Sequence, residues 1–228
     1  MRIIRVLALV ALVGSIPLNA GADPIAVGDV VRFGDLPGNT GGGEFLLTDI
    51  NNPTEWIITF CLQKTEYMNF TSNFIVGSIN DYTLTDPDAN GGVNGGDPIS
   101  SQTAWLYTQF SNHTLANYVY NNTGNAVFAS REASANALQH AFWGFENEEA
   151  LDQSNYYVQL ALHNTPSDFG IGDVAVLNMY VHSKSATDHL GAEAQDQLTI
   201  KTVPEPTTLA LMGVGMLGMT VARRRSKK

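Results

Sequence analysis

The sequence predicts an α+β fold: a β-sandwich or barrel with a helical insertion in the middle of the chain. Short runs in which apolar and polar residues alternate, as in half-buried strands, lie near both ends of the body of the chain. Between them, apolar residues recur at the spacing of an α-helix. This order of strands, helices and strands indicates one mixed domain.

The individual elements follow from these patterns in chain order. We expect strands at residues 29–33, 44–48 and 56–62, helices at residues 101–110, 115–120 and 130–148, and strands at residues 173–181 and 197–203. A glycine-rich turn, residues 38–43, separates the first two strands. The helix at residues 130–148 has the clearest periodicity, and Ser130 can cap its first turn.

The first 22 residues read as a secretion signal. Arg2 and Arg5 precede an uninterrupted apolar run, residues 6–13, and Pro17 then interrupts the helix. The small residues at positions 20–22 offer a cleavage site. Residues 1–22 are therefore predicted to be a signal peptide, and they take no part in the fold.

The last 25 residues, 204–228, have the features of a membrane-associated tail. Pro204, Glu205 and Pro206 come first, and the two prolines end any preceding helix or strand. A short apolar, glycine-rich segment follows, and a basic cluster ends the chain; its arginines are Arg223, Arg224 and Arg225. The basic cluster is expected to stay on the cytoplasmic side, which leaves the body of the protein outside the membrane.

This tripartite tail resembles the PEP-CTERM sorting signal. The resemblance implies an exosortase-type processing enzyme as a partner. It also implies export, anchoring through the C-terminal helix, and delivery to the cell surface or extracellular matrix. An ordinary C-terminal anchor is the alternative, although the apolar segment is short for a full span.

The body between the two signals, residues 23–203, is long enough for one folded extracellular domain. It holds five basic residues and all but one of the 22 acidic residues of the chain. Phosphate binding needs a basic surface, so this charge excludes nucleic acid as a partner.

Cys61 is the one cysteine of the chain, so it cannot form an internal disulfide. An unpaired thiol outside the cell is open to oxidation. Cys61 is therefore either buried and inert or committed to another bond. A protease nucleophile is disfavoured, because no histidine lies in a recognisable catalytic context.

Two short motifs give that choice a chemical meaning. Phe60 precedes Cys61 at the end of a predicted strand, and Gln139 lies four residues before Trp143 in the longest predicted helix. Together they resemble the thioester domain of bacterial surface adhesins, although the family's usual threonine before the glutamine is Leu138 here. The resemblance implies a thioester between Cys61 and Gln139, shielded from water by Phe60, Phe142 and Trp143.

The function implied by this resemblance is covalent capture in adhesion or matrix attachment. An amine-bearing surface protein or polysaccharide would take the acyl group of Gln139 in a single event, so the protein would not be a turnover enzyme. The alternative is a non-covalent exopolysaccharide-binding or matrix protein without a thioester, in which exposed aromatic residues such as Tyr156 and Tyr157 stack on sugars.

One loop has the spacing of a calcium site. Asp86, Asp88 and Asn90 supply oxygen ligands at alternate positions, and Asp97 falls at position 12. A polar surface loop without metal explains the same residues. Calcium is the one cofactor that the sequence suggests.

Overall fold

The computed structural model describes residues 25–38, 42–66, 68–84 and 96–201. The α+β class is confirmed: a six-stranded antiparallel sheet is combined with three helices. The predicted signal peptide, residues 1–22, and the predicted tail, residues 204–228, lie outside the described residues.

The strands and helices alternate in blocks along the chain. Their bounds are β1 Val30–Asp35, β2 Phe45–Asp49, β3 Trp56–Thr59, β4 Phe74–Asn80, β5 Tyr82–Thr83, β6 Asp97–Pro98, α1 Ser101–Ser111, α2 Arg131–Phe145, α3 Tyr156–Asn164, β7 Val174–His182 and β8 Leu190–Ile200. The large sheet has the order β3-β2-β1-β4-β7-β8, and β5 pairs with β6 in a separate ribbon.

The predicted sandwich or barrel is wrong, because the described sheet is not closed and its companion ribbon has only two short strands. The edge strands β3 and β8 come close without forming a ladder: the Tyr107 hydroxyl of α1 lies 3.0 Å from the carbonyl oxygen of Ile58 and 3.1 Å from that of Leu198. Backbone pairing between the two edges begins just beyond the end of β3, where Cys61 forms an antiparallel bridge with Gln197.

Several boundaries differ from the predicted ones for local reasons. Residues 115–120 are not helical, because the chain takes left-handed backbone conformations at His113 (φ 56°) and Asn117 (φ 59°). Strand β4 and helix α3 were not predicted. The Ser130 cap is confirmed, since its side chain accepts a hydrogen bond from the backbone N–H of Ala133.

Two apolar clusters lie on opposite faces of the strand segment after β3. Phe60 and Leu62 pack into the cluster that contains the three helices, whereas Cys61 points the other way, as alternation along a strand requires. The second cluster is formed mainly by one face of the large sheet, and α2 contributes Trp143 to it. Cys61 therefore lies where the sheet edges meet, directly below α2.

Two buried carboxyl groups tie elements together and give the stability a pH dependence. Glu146, at the end of α2, accepts a hydrogen bond of 2.8 Å from the Ser100 hydroxyl at the start of α1, and burial raises its pKa to about 7. Asp196 accepts hydrogen bonds from the backbone N–H groups of Leu84 and Met179, and burial likewise raises its pKa to about 7.

We expect the free energy of unfolding to fall as the pH rises between about 4.5, the ordinary pKa of Glu146, and about 7, its pKa in the folded protein. In that window the folded chain binds protons that the unfolded chain has already released, so raising the pH favours unfolding. Urea denaturation across this range should show the slope, and Glu146→Gln should reduce it. A slope in Glu146→Gln equal to that of the unchanged protein would contradict the assignment.

Candidate functional site

Cys61 and Gln139 come together although 78 positions separate them in the sequence. Cys61 is fully buried, and Gln139, on α2, is 1% exposed. The Cys61 Sγ atom lies 3.3 Å from Gln139 Oε1, within reach of a thiol hydrogen bond. The structure therefore brings the two predicted reactive side chains into direct contact.

The carboxamide of Gln139 is held at both of its ends. Its Nε2 atom donates to the backbone oxygen of Cys61 at 2.7 Å, and its Oε1 atom accepts from the backbone N–H of Gly43 at 3.3 Å. Because Oε1 also faces the thiol, nitrogen and oxygen have different, complementary partners. The amide group is thus fixed in orientation beside the sulfur before any reaction.

Burial raises the pKa of the Cys61 thiol well above its ordinary value. A backbone hydrogen bond and the neighbouring Trp143 side chain lower this pKa in part, without offsetting the loss of water. The resting sulfur is therefore a neutral thiol. A reaction that starts here has to move the thiol proton as the sulfur approaches the carbonyl carbon, and no free thiolate stands ready beforehand.

The three predicted shielding residues take two different positions. Trp143 is 1% exposed and belongs to the same cluster as Cys61. Phe60 and Phe142 lie in the other cluster, where their ring centroids are 5.3 Å apart. Trp143 therefore covers the Cys61 side, while Phe60 and Phe142 fix the strand segment against α2 from behind.

Sequence reasoning missed the loop that closes the site, Gly42 to Glu44, which it treated only as a turn. A Cβ atom on Gly42 would lie 2.5 Å from Gln139 Cγ and 2.5 Å from Trp143 Cη2. Gly43 has a φ of +119°, and a Cβ there would lie 2.6 Å from Gly38 Cα. Both positions need glycine, so the run of glycines before Glu44 was the available signal.

Glu44 anchors this loop to the start of α2. Its side chain is fully buried, and Arg131 binds both of its oxygens, with Nε at 2.9 Å from Oε1 and Nη2 at 2.5 Å from Oε2. The Tyr118 hydroxyl donates to Oε1 as well. The ion pair fixes the residue next to Gly43, and so it positions the N–H group that faces Gln139.

Other candidates from the sequence do not form part of this site. The carboxamide of Gln63, two residues after Cys61, is engaged by the carbonyl of Leu84 and the N–H of Asp196, so it is not free to act as an acyl donor. Among the described residues no histidine hydrogen-bonds the Cys61 sulfur. His140, which follows Gln139 in α2, pairs instead with Glu149 at 2.8 Å. Tyr157 is fully buried, so its predicted role in stacking on a sugar is wrong.

Of the residues predicted for the calcium loop and the sorting signal, the structure describes Asp97 alone. Asp86, Asp88 and Asn90 lie outside the described residues, and Asp97 begins the short strand β6. Pro204, Glu205, Pro206 and the arginines 223–225 also lie outside them. In the described part of the chain, no helix combines the length and the apolar character needed to cross a bilayer.

Comparison with known proteins identifies the tail. Residues 202–226 match the family described as the PEP-CTERM protein-sorting motif. The chain is therefore an exported protein that carries a PEP-CTERM signal, anchored at its C-terminus, processed by exosortase and directed to the cell surface. No curated protein and no solved structure matches the chain, so the likeness to thioester domains has no support from that side.

Proposed function

We propose that the domain forms an internal thioester between Cys61 and Gln139 and uses it to capture an amine-bearing partner at the cell surface. The observation that carries the proposal is the contact of 3.3 Å between Cys61 Sγ and Gln139 Oε1 in a buried setting. Proximity of this kind replaces a second substrate and lets a poor electrophile react.

Thioester formation requires no co-reactant. The sulfur attacks the side-chain carbonyl carbon of Gln139, and the charge that develops on Oε1 is stabilised by the N–H of Gly43. The thiol proton passes to the amide nitrogen, the C–N bond breaks, and ammonia leaves. One S–C bond has replaced one N–C bond.

Capture of the partner is the second step, in which an amine replaces the Cys61 sulfur. The nitrogen of a partner amine attacks the same carbonyl carbon, the C–S bond breaks, and a proton from the amine returns to the sulfur. The product is an amide that joins Gln139 to the partner, with Cys61 as a free thiol again. Because the new bond is stable, each molecule acts once, in adhesion or matrix attachment. Calcium binding by Asp86, Asp88, Asn90 and Asp97 is a separate proposal.

Intact mass tests thioester formation. We expect the folded protein to be lighter than its sequence by one ammonia, and methylamine to convert it fully to a methylamide at Gln139. Cys61→Ala and Gln139→Ala should both have the unshifted mass and gain no adduct. The exposed Gln153→Ala serves as the matched control and should behave as the unchanged protein does.

Thiol titration in denaturant separates the thioester from a second way of losing ammonia. An amide between Lys64 and Gln139 would give the same mass, but it would leave Cys61 titratable. We expect no free thiol before methylamine and one afterwards. An unshifted mass together with one free thiol would refute the proposal.

A further inference from the structure

A cavity of about 490 Å³ opens to the surface beside the Cys61–Gln139 pair. Gly42 lines this cavity and also lies against Gln139 and Trp143, since a Cβ atom on Gly42 would overlap both side chains. Gly42, which has no side chain, thus separates the cavity from the carboxamide of Gln139. The cavity therefore borders the site through Gly42.

The chemistry of the cavity wall is amphipathic. Asp35 and Glu66 contribute carboxylates, and Phe45, Met68 and Phe70 contribute apolar surface. Such a wall suits a chain of methylene groups that ends in a positive charge.

A buried acceptor without a partner adds an independent signal. Gln195 also lines the cavity and is 3% exposed. Its Nε2 atom donates to the backbone oxygen of Gln63 at 2.6 Å, but its Oε1 atom has no hydrogen-bond partner among the described residues. A buried acceptor left unpaired costs free energy, so its retention points to a donor that arrives with a ligand.

The cavity edge already holds one ammonium group. Lys64 lines the cavity, and its Nζ atom lies 5.3 Å from the centre of the Trp143 ring. Glu149 holds this ammonium at 2.7 Å. The same surroundings that accept the Lys64 charge suit a second alkylammonium group.

We propose that this cavity binds the alkylammonium side chain of a lysine on the partner and aligns it for transfer. The Gln195 Oε1 atom and the carboxylates of Asp35 and Glu66 accept from the ammonium, and the apolar wall contacts its methylene chain. One carboxylate takes a proton and passes it to solvent, so that the neutral amine can attack. This inference rests on the proposed capture function, but its binding step is testable without it.

Binding is measured on Cys61→Ala, which cannot form a thioester, by NMR titration with Nα-acetyl-lysine methylamide. We expect saturable shifts at residues that line the cavity, and no such shifts with the Nε-acetylated analogue, which lacks the charge. Absent or equal shifts would overturn the cavity assignment and leave the mass test of the thioester unaffected. Saturable binding together with an unshifted mass of the unchanged protein would refute the thioester and leave the cavity assignment in place.

Rates on the unchanged cysteine provide the second arm. Asp35→Asn combined with Glu66→Gln should slow aminolysis by the lysine analogue about tenfold, and added salt should reduce the difference. Reaction with hydroxylamine, which is mostly neutral, should keep its rate. Asp168→Asn combined with Asp188→Asn, both at exposed positions, is the charge-matched control for this double variant. Equal losses with both nucleophiles would contradict the proposal.

Gln195→Met tests the buried acceptor separately. It should weaken binding of the lysine analogue while leaving the hydroxylamine rate unchanged. Because this change also removes the hydrogen bond to Gln63, its thermal unfolding is compared first. If Gln195→Met does not fold, the surface carboxylate variants still decide the matter.

Glucosamine, a primary amine without an alkyl chain, should react more slowly than the lysine analogue; an equal or faster rate would favour a sugar as the partner.

Discussion

Gly42→Ala should slow thioester formation by about 100-fold or more, because the new Cβ atom has no room beside the reacting amide. It would lie 2.5 Å from Gln139 Cγ and 2.9 Å from Trp143 Cζ2, so one of these side chains must move. A displacement of about 1 Å at the carboxamide is enough for a loss of this size. The rate is followed by intact mass as the chain refolds from denaturant.

Gly34→Ala is the matched control for this substitution. A Cβ atom at Gly34, in β1, would meet Leu46 Cβ at 3.4 Å, an ordinary contact. We expect Gly34→Ala to lose ammonia at the unchanged rate. If Gly42→Ala folds and loses ammonia as fast as Gly34→Ala, then the close packing around Gln139 is not needed for the reaction.

Arg131→Met should lower the free energy of unfolding by about 3 kcal/mol, because it leaves the carboxylate of Glu44 buried without its cation. Glu44 is fully buried, whereas the Arg131 side chain is 23% exposed, which places the loss at the lower end of the range for buried pairs. Thioester formation should slow as well, since Glu44 fixes the loop that carries the Gly43 N–H. Urea denaturation and intact mass measure the two effects.

Lys64→Met removes the same charge from an exposed ion pair and controls for it. The Lys64 side chain is 41% exposed and pairs with Glu149 at 2.7 Å. Pairs of this kind contribute at most about 1 kcal/mol, so the loss should be small. Similar losses in Arg131→Met and Lys64→Met would show that the Glu44 pair does not anchor the loop.

The class of the fold could be predicted from periodicity, but its closure could not. Alternation identifies a strand and says nothing of whether two distant edges meet. Here the Tyr107 hydroxyl lies within hydrogen-bond distance of a carbonyl on each edge strand, and the Leu198 carbonyl also accepts from Thr59 Oγ1, so side chains bridge the two edges in place of a continuous ladder. Strand β4 could not be predicted because Gly77 interrupts its apolar run. Residues 115–120 have apolar residues at helical spacing, but the left-handed backbone at Asn117 prevents a helix there.

The candidate site divides along the same line. Side chains with a motif, Cys61 and Gln139, could be paired from the sequence through a family resemblance. The N–H group of Gly43 could not, because every residue but proline has one and only the fold aims it. The partnership of Glu44 with Arg131 spans 87 positions, and no local pattern records it.

Peptide mapping of the freshly folded, unreacted protein tests the central claim most directly. After digestion under acidic denaturing conditions, the fragment with Cys61 should be joined to the fragment with Gln139, one ammonia lighter than the two together. Methylamine should separate them into a free thiol and a methylamide at Gln139. Recovery of an alkylatable Cys61 and an unmodified Gln139 in separate fragments from the untreated protein would contradict the account.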